Sequence, residues 1–308
     1  MAMTTDLPAI TRLYQLCEPL ESLHPGDPRW VDFDPVRGDE NVVALYARSL
    51  RRAAADRPDF KLFTGHRGVG KTSELFRLQN ILEAPGDGQP GFVVVYCDVG
   101  DRLDVNDLDF PDLLVFVLAS PKVHTVYTVP ISLIYSPRFG QLQQAVGEHN
   151  VPLSMIRLRP GWNADISDDS PGMAKMREMV ERRCCEAGTS LDAAFDGLAT
   201  LNHLCRMSGG HPRHLMMFLQ AACNELDDLP ITRTAAEKAV RKYANALLRE
   251  VPDADWDKLA VFATPQRDIP KDEPHQQMLF LLFVFEYMDG DIWYEINPVL
   301  RTLERFRP

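Results

Sequence analysis

The octapeptide Gly65-His66-Arg67-Gly68-Val69-Gly70-Lys71-Thr72 constrains this chain more than any other stretch of it. Its spacing, G-x-x-x-x-G-K-[ST], needs a strand before it and a helix after it. Both flanks read that way. Phe60-Lys61-Leu62-Phe63 is a short apolar run, and residues 71–82 carry a helical pattern. The glycines let the backbone close around an anion, and amides in the first turn of the following helix add partial positive charge. Lys71 brings a mobile ammonium to phosphate oxygens, and Thr72 brings a hydroxyl to Mg2+, with Ser73 beside it in the same turn. The expected ligand is ATP with Mg2+, held by residues 65–73.

The elements around the motif alternate. Residues 1–35 are rich in proline and acids, with turns at His24-Pro25-Gly26-Asp27-Pro28, and read as a lead-in strap. Residues 39–52 place Val42, Val43, Leu45, Tyr46 and Leu50 on one helical face behind Asp39 and Glu40. Residues 92–99, FVVVYCDV, are long enough for a buried strand. Strand, turn, helix, loop and strand in that order begin a βαβ unit with a parallel sheet. Further on, residues 105–119 predict a helix, 123–135 a strand interrupted by Pro130, and 154–158 a weaker strand. The pattern then turns helical, over 173–187, 191–207, 214–226 and 234–248. The tail, 279–307, carries an apolar run, a hairpin turn at Met288-Asp289-Gly290-Asp291 and a second strand over 292–296. The expected organisation is a strap over 1–35, an α/β core over 36–160, a helical segment over 161–248 and a helix-plus-hairpin module over 249–308.

Composition excludes several classes. At 45% hydrophobic and 25% charged over 308 residues, the chain is an ordinary globular one. Thirty-three basic against 44 acidic side chains give a net charge of −11, which repels nucleic-acid backbones and anionic lipid. Nucleic acid is therefore not the favoured partner, and the acidic turn Asp289-Gly290-Asp291 opposes the basic Arg301, Arg305 and Arg307 beyond it. Cys17, Cys97, Cys184, Cys185, Cys205 and Cys223 show neither C-x-x-C nor zinc-like spacing, and read as reduced thiols of a cytoplasmic protein. His211 and His214 can share a helix face but lack a third metal ligand, and read as a solvated or packing pair. The first residues lack a signal-peptide pattern, and the longest apolar stretch, 278–285, falls far short of the roughly 20 residues a membrane helix needs.

The string FTGHRGVGKTSEL, followed later by SGGHPRHL, resembles the AAA+ ATPases and the related STAND signalling ATPases of prokaryotes, including ATPase subunits of bacterial defence systems. The resemblance covers residues 30–300. It implies an α/β fold: a P-loop NTPase three-layer domain with a parallel sheet, then a helical lid and a C-terminal winged-helix-like module. It also implies control by lid closure, with a homo-oligomer or a protein effector as partner. Arg37 and Gly38 match the box that contacts adenine. Thr128 matches the polar residue that senses the γ-phosphate, and Gly210, Pro212 and Arg213 match the lid's G-x-P-R, whose arginine is a second sensor. Lys71, Thr128 and Arg213 then form the catalytic set, with Arg67, Arg182 and Arg183 as candidates for an arginine finger.

One part of that pattern is missing. The acid that holds the Mg2+ water shell ends a third strand in the family, and no such run occurs here. Asp98 ends FVVVYCD, but on the first strand after the loop's helix, where it reads as a loop acid or a ribose contact. A parallel sheet that skips its centre leaves backbone groups unpaired, which favours an omitted segment at about Ser120-Pro121 over a native loss. Hydrolysis is therefore left open. Two alternatives stand beside the switch: a DNA-handling ATPase regulator, and a nucleotide-binding scaffold without turnover.

Overall fold

The computed structural model describes residues 7–38, 41–54, 57–86, 88, 90–96, 123–137, 139–146 and 151–306. Helix α1 (Ala9–Leu16) lies inside the stretch expected to be a strap. Its Ile10, Leu13 and the adjoining Cys17 recur at helical spacing and are buried against later helices, so an apolar stripe outweighs the local proline content. After a short 3-10 turn at Asp34–Val36 comes α2 (Val42–Arg52), whose first turn is capped by the Asn41 side chain accepting the Ala44 N–H. Asp39 and Glu40, the acids expected to start that helix, lie outside the described residues.

Strand β1 (Phe60–Gly65) runs into the glycine-rich loop, and α3 (Lys71–Glu83) leaves it. Beyond α3, residues 92–96 form no ladder, and Val93 is 94% and Val95 77% exposed. The strand expected over 92–99 is thus not formed in its described part. Strand character comes from pairing with a neighbour, and β-branched composition alone does not supply it. Residues 97–122 lie outside the described residues, and with them Asp98, the helix expected over 105–119 and the Ser120-Pro121 junction.

Strand β2 (Thr125–Pro130) pairs parallel with β1, from Phe60 opposite Thr125 to Gly65 opposite Pro130. Proline has no N–H to continue the ladder, and the chain tightens into a 3-10 turn at Ile131–Tyr135 where a strand had been expected. Helix α4 (Phe139–Val146) follows, with Leu142 packed on Leu62 and Val129. On the opposite edge of β1, the Leu153 N–H reaches the Thr64 carbonyl at 2.8 Å, and Leu153 bridges Gly65 in parallel sense. Residues 154–158 continue without a ladder, short of the strand expected there.

The helical segment begins with α5 (Pro171–Glu186), capped by Ser170. The single helix expected over 191–207 is two, α6 (Leu191–Ala194) and α7 (Leu198–Ser208), because Phe195 leaves to bridge Ile231. Then come α8 (Pro212–Cys223), α9 (Arg233–Glu250), α10 (Trp256–Val261) and α11 (Glu273–Phe280). Met176, Val180, Leu204, Leu215, Phe218, Ala236 and Val240 form their common core. The chain closes with the antiparallel hairpin of β3 (Val284–Asp289) and β4 (Asp291–Ile296), turning at Gly290 as the sequence predicts. A second core joins this hairpin to the loop region: Phe285 and Trp293 pack with Val43, Phe63, Val69 and Met155. No described helix is long and apolar enough to cross a membrane, and the described cysteines are free thiols.

Candidate functional site

The glycine-rich loop is folded tightly around its own lysine. Lys71 Nζ donates to the carbonyl oxygens of Gly65 and His66, each at 2.9 Å. Gly68 has φ +78°, and a Cβ there would lie 2.8 Å from Arg213 Nε and 2.9 Å from Arg213 Cβ. Only glycine allows that approach. Gly70 caps α3 in the left-handed conformation, so the amides of the first helical turn face the loop.

Cations converge here from three elements. Arg213 is the second residue of α8; besides covering Gly68, its Nε donates to the Pro19 carbonyl at 3.2 Å. Arg67 extends from the loop over the Phe280 ring, 5.3 Å from its centroid. Arg37 is buried, and its Nη2 donates to the Val69 carbonyl at 2.7 Å, while Nε and Nη1 have no hydrogen-bond partner among the described residues. Enclosure of Lys71, reinforced by the guanidiniums of Arg213 and Arg67, pushes its ammonium down to about 7. Burial likewise lowers Arg213, with Arg67 adding to it. Below the loop, Arg37 meets the field of Glu74, which pairs with Arg77 at 3.1 Å, and Arg77 is hydrogen-bonded in turn to Asp34. Lys71, Arg213 and Arg37 are enclosed with the exposed Arg67 beside them, and like charges this close repel one another, which an anion would relieve. The unpartnered Arg37 atoms, the aligned amides and Lys71 fit a polyphosphate.

The structure brings together residues 65–73, Arg37 and Arg213. Gly38 lies close against Met288 of β3. Thr128 is exposed and level with Phe63 in the ladder; the β2 residue beside Gly65 is Pro130. The structure does not bring Thr128 to the loop with the others. Thr72 sits in the first turn of α3, and the Ser73 hydroxyl accepts the Leu23 N–H at 3.0 Å. Among the described residues no group of three or more His, Cys, Asp or Glu is placed to hold a metal ion. Of the finger candidates, Arg183 is buried and bonded to the carbonyls of Leu16 and Met179, and Arg182 is held by Glu178 and the Trp30 carbonyl. Arg67 is exposed.

Sequence reasoning missed the hydrogen bonds that the imidazoles around the loop make. The ring of His66 accepts the Glu286 N–H on Nε2 at 2.8 Å. His211 Nε2 meets the Arg67 carbonyl at 2.7 Å, and His214 Nε2 meets the Tyr243 hydroxyl at 2.8 Å. Burial pushes His66 and His214 down to about 3, and His211 well below the usual histidine range. A signal was available for His211: a histidine directly before a proline that opens a helix stands at the N-cap. The contact between Arg213 and Pro19 had no such signal, because it joins residues far apart in the chain. No known family model matches the chain, and no curated protein matches it.

Proposed function

We propose that the chain binds ATP with Mg2+ at residues 65–73 and acts as a regulatory ATPase of the AAA+/STAND type. In this reading the helices over 171–250 are a lid, α11 with the hairpin is a winged-helix-like module, and lid closure controls self-association or engagement of a protein effector, as in bacterial defence. The observation that carries it is the arginine of one element lying on the glycine of another, with Arg213 of α8 packed on Gly68 of the loop. Phosphate oxygens would draw Lys71 Nζ from the carbonyls of Gly65 and His66, and Arg213 from that of Pro19, so a ligand in the loop would be felt in the lid. The loop amides would bind the polyphosphate, Arg37 would hold the Val69 carbonyl and so the loop's shape, and Thr72 would orient the metal. Mg2+, when bound, would neutralise charge on the phosphates.

Binding without fast turnover is the second reading. It is favoured by the sequence, in which the apolar run that ends in an acid is FVVVYCD, with Asp98 on the stretch directly after the loop's helix. Comparison of the wild type with Lys71→Ala tests both. ATP binding and ATP-dependent association are expected in the wild type and lost in the variant. Equal binding and the same association state in both proteins would refute the switch, and phosphate release separates turnover from binding alone.

A further inference from the structure

We infer that His211 is a positioning residue that ties the glycine-rich loop to the helix carrying Arg213, through two hydrogen bonds made by one imidazole. The inference rests on the ATP-binding reading and adds to it a coupling element.

The chain leaves α7 through Gly209 and Gly210, both left-handed, at φ +61° and +76°. A Cβ on Gly210 would lie 2.0 Å from the Ile156 carbonyl oxygen, so this turn is pressed onto the segment beside β1. His211 follows at the N-cap of α8, fully buried, with Pro212 opening the helix. Its Nδ1 accepts the His214 N–H at 3.2 Å, which satisfies one of the free donors of the first turn. The proton is therefore on Nε2, which donates to the Arg67 carbonyl at 2.7 Å. The two bonds together fix a neutral ring in one tautomer.

The ring is held from a third side as well. Phe285 of β3 stacks on it at 5.7 Å and 14°, and also meets His66 edge-on at 5.8 Å. Two residues after His211, Arg213 covers Gly68, the residue after Arg67. Loop and helix are thus joined twice within a few residues: by a hydrogen bond from helix cap to loop carbonyl, and by a guanidinium on a loop glycine. Moving the Arg67-Gly68 peptide to admit phosphate would move the cap of α8, and holding the cap would preset Arg213. Serine or asparagine, the usual caps, satisfies the first turn but does not reach the Arg67 carbonyl.

Asparagine places its Oδ1 where the imidazole has Nδ1, and glutamine places its Nε2 near the ring Nε2, so two substitutions separate the two bonds. Binding of a fluorescent ATP analogue with Mg2+ and thermal unfolding are measured for wild type, His211→Asn, His211→Gln and Lys71→Ala. His211→Asn keeps the cap but loses the loop bond and much of a buried ring, so its midpoint is expected to fall and its affinity to weaken about tenfold. His211→Gln keeps the loop bond and loses the cap, so its midpoint is expected to fall while affinity stays within about threefold. If affinity follows stability in both variants, or changes in neither, His211 only packs and the inference fails. If the wild type binds no ATP, the underlying reading fails instead; binding by wild type but not Lys71→Ala, with His211→Asn unimpaired, sinks the coupling alone. Should both variants unfold, nitrogen NMR of the wild-type histidines decides. His211 is expected neutral with its proton on Nε2 at pH 7 and shifted by ATP with Mg2+, and a resonance unmoved at saturation would overturn the inference.

Discussion

Lys71 carries the clearest consequence of the site's chemistry. Free, its ammonium is pushed to about 7 by enclosure, Arg213 and Arg67; a bound polyphosphate raises it again. Above pH 7 the free protein is largely deprotonated there and the complex is protonated, so binding takes up a proton and ATP affinity falls as pH rises, by up to about tenfold per pH unit. Calorimetry at pH 8 in buffers of different ionisation heat is expected to give an uptake near one proton, dropping toward zero at pH 6; equal uptake at both would refute this. The buried imidazoles act on stability. With His66 and His214 near 3, and His211 also far below its unfolded value, the unfolded chain binds more protons than the folded one between about 6.5 and 3. Their contribution is present above that window and is lost as pH falls through it. Glu286, pushed up to about 7 by burial, and Glu74, raised by burial, act oppositely above their ordinary 4.5, against these three imidazoles and His203, which burial also lowers. Urea midpoints are therefore expected to fall from pH 7 to pH 5, and a flat profile would contradict the buried neutral rings. The backbone cradle was legible because its glycines and lysine form a fixed string. The ring contacts were not, since the Glu286 N–H that meets His66 comes from a strand 220 residues away.

At the scale of elements, sequence served best where local pattern suffices. The start of α3 and the Gly290 turn stand where the sequence puts them, and α8 begins two residues ahead of the expected 214, because glycine and proline act on the residues that carry them. It served worst where a neighbour decides. Residues 92–96 have strand composition and form no ladder among the described residues, and α1 was hidden by the prolines after it. Gly210 shows how a glycine can be required by another element: besides its left-handed φ, a side chain would drive a Cβ into the Ile156 carbonyl. Gly210→Ala is expected to cost about 3 kcal/mol or more, read as a lower urea midpoint, and to weaken ATP binding because α8 would lose its seat. Wild-type stability in that variant would mean that the turn is free of the strand edge.

Across the whole molecule, the C-terminal hairpin connects what the sequence divides. Arg159 pairs with Glu295 at 2.8 Å, Arg157 with Asp289, and the Tyr287 hydroxyl donates to the Gly209 carbonyl at 2.7 Å. The hairpin therefore touches the segment beside β1, the turn before α8 and, through the Glu286 N–H, the loop itself. Tyr287→Phe leaves a buried carbonyl without that donor and is expected to cost about 1–2 kcal/mol in urea unfolding, with the fold retained. An unchanged midpoint would show that this bond holds nothing. The helical half and the hairpin were foreseeable as elements; their meeting over the loop was not, because it depends on Phe285 and Trp293 entering the same core as Val69. That shared core has a practical side. Trp293 is almost wholly shielded from water and lies face to face with Tyr287, 5.4 Å between ring centres. The molecule thus contains a fluorophore of its own next to the region where a ligand would act, and with Trp30, Trp162 and Trp256 replaced, ultraviolet emission would follow that neighbourhood with no dye attached.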